Sequence, residues 1–192
     1  MLDYLNIAIS ALFAQNLLLV YPFTLGNNPK SFLRPKGAFS LGFSLTAVFL
    51  LLTPLSRVFH QFLVTTETEH FLLLILALLA TVGTYVVGLT MEKYSPDLWA
   101  IFGESFRSLP SNAGVLGVML LSAQQNHSVL EAVVFGFFSG LGVLIALVTL
   151  VGVQQNQERR GCPPVFQGFP ILFITAGLMS LSLVGFYGLQ VN

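Results

Sequence analysis

Charge is scarce in this sequence. Only 8% of the 192 residues are Asp, Glu, Lys or Arg, whereas soluble domains carry about 25%. Hydrophobic residues make up 55% of the chain, and the mean hydropathy is +0.82. Eight acidic and eight basic residues cannot solvate the surface of a soluble globule of this size. The composition therefore excludes a soluble enzyme and predicts a multi-pass membrane protein.

Cysteine is almost absent as well. The single Cys162 excludes an internal disulfide and a metal site made of cysteines alone, and the three histidines lack the spacing of metal ligands. A net charge of zero excludes the basic surface that binds nucleic acid. No Ser–His–carboxylate, paired-carboxylate or HExxH pattern is present. We therefore expect no catalytic residues, no metal ligands and no catalysis by the chain alone.

Apolar runs, by contrast, fill the sequence. A membrane span needs about 20 apolar residues, and apolar segments cover residues 5–23, 38–55, 71–91, 98–121, 129–153 and 170–189. We expect an all-α membrane protein with six transmembrane helices in one membrane domain. The second helix is expected to end at Thr53-Pro54. Because Met1-Leu2-Asp3 lacks the basic region of a signal peptide, the first segment is expected to be a retained span.

Basic residues are divided unevenly between the expected loops, and this predicts the orientation. Only Arg57 is placed in a loop on the opposite side. Loops rich in Lys and Arg stay in the cytoplasm, so both termini are expected on the non-cytoplasmic side. Six of the eight basic residues lie in the three loops assigned to the cytoplasm: Lys30, Arg34, Lys36, Lys93, Arg159 and Arg160.

The two polar, interrupted segments are the first and the fourth, which occupy equivalent places in a three-plus-three arrangement. Asn16 in the first segment and Asn112 in the fourth are separated by 112 − 16 = 96 residues. The same offset pairs Leu45 with Leu141 and Thr53 with Thr149. We expect two inverted three-helix repeats, at about residues 1–92 and 95–192, with broken first and fourth helices. Such repeats are typical of proteins that move something near the bilayer midplane.

Four residues are candidates for lining a pathway or a helix break: Asn16, Tyr21, Pro110 and Asn112. An amide in hydrocarbon is costly unless it is hydrogen-bonded, so each asparagine should face another helix or a cavity. On one interpretation the asparagines line a path or hold unwound backbone. On the other they hold helices together, as polar side chains in membranes often do. The residue pattern does not distinguish these roles.

Glu104 and Arg107 are the charged residues of the fourth segment. They lie three residues apart and could pair on one face of a helix. Charges inside a span usually mark function. The alternative, which we favour, is that the span starts later, near Pro110, and that both charges lie in the membrane interface.

The C-terminal third resembles one family of membrane proteins. The run from Phe173 to Leu181, followed by Gly185-Phe186 and Gly188-Leu189, closely resembles the last span of the A subunit of the Rnf complex and of the E subunit of the sodium-pumping NADH:quinone reductase (Nqr). The resemblance covers nearly the whole chain and is strongest from Ser95 onward. Other matching segments are Ser95–Leu98, Asn112 with Val115–Val118, Val133–Phe137, Pro163-Pro164 and Phe166–Gly168.

This resemblance implies six spans in two inverted repeats and a location in a bacterial or archaeal-type inner membrane. It also implies a homologous six-span partner and further subunits. Such complexes couple electron transfer between NADH and ferredoxin or quinone to Na⁺ or H⁺ translocation.

The sequence differs from the family at the positions that bind the family's cofactor. One cysteine in each broken span of the family, with two from the partner, ligates a [2Fe–2S] cluster. In an ungapped comparison those positions hold Gly26 and Ala113 here, and neither can bind iron. Cys162 lies in an expected cytoplasmic loop, too far away in sequence to substitute. We therefore expect that the cluster has been lost and that this chain holds no cofactor.

The leading hypothesis is an integral membrane subunit of an Rnf/Nqr-like ion-translocating electron transport complex, without iron–sulfur ligands of its own. A second hypothesis is a small membrane transporter or channel built on the same inverted-repeat scaffold. A third is a purely structural assembly subunit.

Overall fold

The structure is a computed structural model, and it describes residues 2–14, 16, 35–65, 69–125, 127–159, 163 and 169–183. Helices make up nearly all of these residues. In chain order they are α1 (Leu2–Ile9), a π-helical turn (Ser10–Ala14), α2 (Pro35–Thr65), a 3₁₀ turn (Glu69–Phe71), α3 (Leu72–Tyr94), α4 (Pro96–Ser108), a second 3₁₀ turn (Leu109–Ser111), α5 (Ala113–Gln124), α6 (Val129–Arg159) and α7 (Phe169–Leu183).

Among the described residues, three helices are long and apolar enough to cross a membrane. They are α2, α3 and α6, with 31, 23 and 31 residues. Shorter apolar helices lie at Tyr4–Phe13, Ala113–Gln124 and Pro170–Leu183. The described part of the chain contains no strand. An all-α membrane protein is thus confirmed, whereas the six-span count and the inverted repeat stay predictions.

Glycines let α2 and α6 pack closely against each other. A methyl group added at Gly140 would lie 2.5 Å from the Cα of Thr46, and one added at Gly136 would lie 2.7 Å from the carbonyl oxygen of Phe49. One added at Gly42 would lie 2.8 Å from the Cα of Leu144. Lipid provides no hydrophobic drive between helices, so small residues that let backbones approach are what stabilise such a pair.

These contacts also fix the relative direction of the two helices. Moving from Gly42 to Thr46 to Phe49 along α2, the facing positions on α6 move backward from Leu144 to Gly140 to Gly136. The helices are therefore antiparallel. The buried core lies around this pair and includes Leu41, Leu45, Phe49, Phe135, Leu147 and Leu150.

The second helix does not end at Thr53-Pro54, so that prediction is wrong. α2 continues through Pro54 to Thr65. Before the proline, Phe49 and Thr53 pack against Gly136, and after it the Oγ of Ser56 donates to the carbonyl of Met119 at 3.3 Å. Packing on both sides of Pro54 holds the helix together through a position where one backbone hydrogen bond is missing.

The extension of α2 also corrects the environment of Arg57, which lies in this helix and not in a loop. Its Nε donates to the carbonyl of His127 between α5 and α6, and its guanidinium contacts Nδ1 of His60 at 2.9 Å. Partial burial lowers the pKa of His127 below its usual value; Glu131 opposes this shift and Arg57 adds to it. The imidazole is therefore neutral at pH 7.

The glycine packing gives a direct test. The Gly140→Ala substitution should destabilise the protein by about 1–3 kcal/mol, because the added methyl overlaps the backbone of α2. Gly152 lies on the same helix with nothing within 4 Å of an added methyl, so Gly152→Ala is the matched control. Thermal unfolding in detergent should separate the two variants, and equal midpoints would contradict the close approach of α2 and α6.

Candidate functional site

The fourth span is broken, as the sequence predicts. α4 ends at Ser108, the 3₁₀ turn Leu109–Ser111 follows, and α5 begins at Ala113. Between them Asn112 has an extended backbone, with φ −87° and ψ 114°. Pro110 has no backbone N–H to offer a continuing helix. The break therefore puts the start of a new helix, with its unpaired N–H groups, inside an apolar segment.

Asn112 provides a hydrogen-bond acceptor for one of these N–H groups. Its side-chain Oδ1 accepts a hydrogen bond from the backbone N–H of Gly114 at 2.8 Å, which makes it the N-cap of α5. Its own N–H donates to the carbonyl of Leu109 at 2.9 Å. The side chain is buried, with 4% of its surface exposed. Asn112 thus caps the first turn of α5 and links it to the preceding 3₁₀ turn.

Asn16 joins the first span to α6. Its Nδ2 donates to the carbonyl of Gly142 at 2.8 Å and to the carbonyl of Leu12 at 3.2 Å. A methyl group added at Gly142 would lie 2.7 Å from the carbonyl oxygen of Leu12. The absence of a side chain at Gly142 therefore lets the first apolar segment pack directly against α6. Just before Asn16, the π-helical turn Ser10–Ala14 departs from regular α-helix. Turns of this kind are frequent at functional sites.

A cavity of about 230 Å³ lies beside Asn16. Its walls come from the first span, α6 and α7, and they are mostly apolar. Thr149 and Ser182 add hydroxyl groups, which already donate to the carbonyls of Ile145 and Met179 respectively. Asn16 therefore both holds two helices together and lines a cavity, so the two interpretations of this residue are compatible.

The remaining predicted residues fall in different places. Pro110 lies in the 3₁₀ turn of the break, and Ala113 is the exposed first residue of α5. Tyr21, Gly26 and Cys162 lie outside the described residues. The structure puts Asn16 against α6 and Asn112 at the start of α5.

The donor set at the break does not fit an iron–sulfur cluster. The side chain of Ala113 is a methyl group without a lone pair, and the amide of Asn112 is engaged as a helix cap. Within the described ranges, no three His, Cys, Asp or Glu residues are grouped so that they could hold a metal ion.

α4 turns its polar residues in two directions. Ser105 is buried and lies 2.8 Å, Oγ to Oγ, from Ser40 of α2. Glu104 and Arg107 are exposed, and in the part of the chain that the structure describes no ion pair joins them. The guanidinium of Arg107 lies instead over the ring of Trp99, 5.7 Å from its centroid. The sequence analysis missed this contact, although the spacing of eight residues puts both on one helix face.

Long apolar helices and a capped break between α4 and α5 define an all-α membrane protein with an interrupted helix. Residues 4–190 match the model of a family described as Rnf-Nqr subunit, membrane protein. The chain belongs to this family, and the family predicted from the sequence is confirmed.

Individual relatives agree. The chain is 32% identical to the A subunit of an ion-translocating oxidoreductase complex of Tolumonas auensis, over 98% of both chains. It is 26% identical to the E subunit of a Na⁺-translocating NADH-quinone reductase of Rhodopirellula baltica, again over 98% of both. The A subunit of a Na⁺-translocating ferredoxin:NAD⁺ oxidoreductase complex of Acetobacterium woodii is 32% identical over 66% of this chain and 63% of its own length.

The helix cap at the break can be tested by itself. Asn112→Ala should cost about 1 kcal/mol, because it removes the acceptor for the N–H of Gly114. Asn112→Ser keeps a capping oxygen and should retain most of the stability. Hydrogen exchange of the first turn of α5 should accelerate in the alanine variant only. Unchanged protection in that variant would contradict the capping role.

Proposed function

We propose that this chain is an integral membrane subunit of an ion-translocating electron transport complex of the Rnf/Nqr type. The observation that carries the proposal is the family match over residues 4–190, together with relatives that are named as subunits of such complexes. The chain would contribute membrane scaffold to the complex and would not catalyse a reaction by itself.

Features of the helix break support this role. Ala113 is exposed directly beside the buried Asn112, so the start of α5 is accessible to a neighbouring subunit. Many other apolar side chains are exposed as well, including Phe62, Leu74 and Leu130, each at 66–68%. Lipid covers part of such a surface, and a homologous six-span partner would cover the break.

The proposed organisation is two inverted three-helix repeats with both termini on the non-cytoplasmic side of an inner membrane. The antiparallel α2 and α6 support it, since the second helices of two inverted repeats must run in opposite directions. Lys36 near the start of α2 and Arg159 at the end of α6 then lie on the same side, and Arg57 lies toward the other. This distribution agrees with a cytoplasmic location for the first two.

A test of the function is co-purification. Expressed alone, the tagged chain should accumulate poorly, because the exposed start of α5 at Ala113 would lack the subunit that covers it. Expressed with its neighbouring genes, it should co-purify with a homologous membrane subunit and with NADH- or ferredoxin-linked oxidoreductase activity. Co-expression with an unrelated membrane protein is the control and should not rescue accumulation.

A stable monomer that transports a solute without redox subunits would contradict the proposal. That outcome would favour the transporter or channel hypothesis, for which the cavity beside Asn16 would be the candidate path. If the complex assembles and keeps its full activity when the residues at the helix break are substituted, a purely structural role would be favoured.

We also propose that this chain supplies no ligand to an iron–sulfur cluster. A [2Fe–2S] cluster normally takes four thiolates, and Ala113 and Gly26 offer none. The purified subunit pair should therefore show no cluster signal in EPR at this interface. A cysteine at position 113 would start α5 at an exposed site. The double variant Gly26→Cys, Ala113→Cys should therefore gain iron when a partner supplies two further thiolates.

Two variants control the cluster experiment. Gly26→Ser with Ala113→Ser changes the same positions without adding thiols and should gain no iron. Cys162→Ala removes the only thiol of the chain. Stoichiometric iron and sulfide in the unmodified pair that disappear in Cys162→Ala would contradict the proposal.

A further inference from the structure

A groove between α3 and α4 adjoins the helix break at Pro110, and the proposed function assigns no ligand to it. Its volume of about 230 Å³ is nearly eight times the ~30 Å³ that a water molecule occupies in the liquid. The lining contains one acid, one base and two aromatic side chains with polar tips: Glu92, Arg107, Tyr85 and Trp99. The groove therefore has room for a ligand of several heavy atoms, and it offers both signs of charge.

Trp99 and Arg107 of α4 form the basic wall of this groove, and Gly103 lies between them on the helix. Trp99, Gly103 and Arg107 follow one another at intervals of four, which puts them on one helix face. A methyl group added at Gly103 would lie 3.0 Å from two ring carbons of Trp99, so the indole lies against the helix where glycine leaves space. The guanidinium of Arg107 lies over that ring, within cation–π distance.

This arrangement leaves the charge of Arg107 available. The ring face accepts the cation but no N–H hydrogen bond, and guanidinium has five N–H donors. Within the ranges that the structure describes, no carboxylate forms an ion pair with Arg107. Glu92 lines the same groove and is exposed, and it is likewise without an ion pair in those ranges.

The groove is lined in part by residue types that are typical of the membrane interface. Arg107 is 11 residues after the start of α4, about 16 Å along the axis, and its side chain reaches back toward Trp99 and the helix start. Long basic side chains of membrane helices turn toward the interface in this way. Trp and Tyr are enriched at the same level. Glu92 lies two residues before the end of α3.

We propose that this groove binds the phosphoethanolamine headgroup of a membrane lipid. The phosphate accepts hydrogen bonds from the guanidinium of Arg107, and the ammonium group donates to the carboxylate of Glu92. The acyl chains lie along the exposed apolar surface of α3, which includes Leu89. The proposal does not depend on the proposed function of the complex.

The pair of opposite charges predicts which headgroup is preferred. The phosphate of a phosphatidylglycerol headgroup can bind Arg107. This headgroup is anionic and carries no cation that could pair with the carboxylate of Glu92. A phosphatidylcholine headgroup carries a cation, but its trimethylammonium has no N–H to donate. Of the three, the ethanolamine headgroup alone combines a phosphate that accepts from Arg107 with a cation that donates charge-assisted hydrogen bonds to Glu92.

Lipid retention tests this preference. The full chain, with its partner subunit where one co-purifies, is reconstituted into nanodiscs of equal parts phosphatidylethanolamine, phosphatidylcholine and phosphatidylglycerol. It is then washed in detergent, and the retained lipids are quantified by mass spectrometry. We expect phosphatidylethanolamine to exceed each of the others by about two- to fivefold, the range that an interfacial ion pair supports.

Variants assign the preference to the groove. Arg107→Gln and Glu92→Gln should each abolish the preference, so that phosphatidylethanolamine is retained about as well as the other two lipids. Glu92→Gln should also raise the retention of phosphatidylglycerol. Arg107→Lys keeps the charge and should keep part of the enrichment. Glu104→Gln is the matched control, since Glu104 is an exposed carboxylate of α4 that does not line the groove. Helix content by circular dichroism checks that each variant is folded.

Three results would overturn the proposal. The first is equal retention of the three lipids by the unmodified protein. The second is enrichment that survives in both Arg107→Gln and Glu92→Gln. The third is displacement of the retained lipid by millimolar phosphoethanolamine without acyl chains, which would assign the groove to a soluble phosphate ester.

Discussion

The structure depends on the close approach of α2 and α6. Both helices have 31 residues, and they are held together where Gly42, Gly136 and Gly140 let backbone meet backbone. In lipid, dispersion contacts of this kind replace the hydrophobic effect as the attraction between helices. The other elements attach to this pair: α5 through Ser56 and the carbonyl of Met119, and the first span through Asn16 and the carbonyl of Gly142.

Composition and apolar periodicity were sufficient for the class of fold and for the positions of most helices. They failed at Pro54, because a sequence rule derived from isolated helices takes no account of neighbours that hold the chain on both sides of a proline. They also failed to give the length of α6, which continues to Arg159 beyond the apolar run. Helix ends outside the apolar layer are stabilised by water and by polar side chains, so hydropathy does not mark them.

The break in the fourth span was predictable for a local reason. A proline followed two residues later by asparagine, just before an apolar run, is a helix end and an N-cap. The partner of Arg107 was not predicted, because the sequence analysis considered Glu104 at three residues and not Trp99 at eight. The deciding residue was Gly103, whose missing side chain lets the indole lie within reach of the guanidinium. Its effect becomes visible only in three dimensions.

The cap and the expected cluster position are adjacent in sequence but physically separate. Asn112 is required by the broken backbone itself, because the N–H groups at the start of α5 need an acceptor whether or not iron is nearby. Residue 113 has no such structural role. Its backbone is already helical, and its side chain is an exposed methyl group that forms no hydrogen bond with α5. An alanine there improves helix propensity at no structural cost. The break and its cap therefore need no thiol at position 113, so an interrupted helix with an intact cap is no evidence for a cluster.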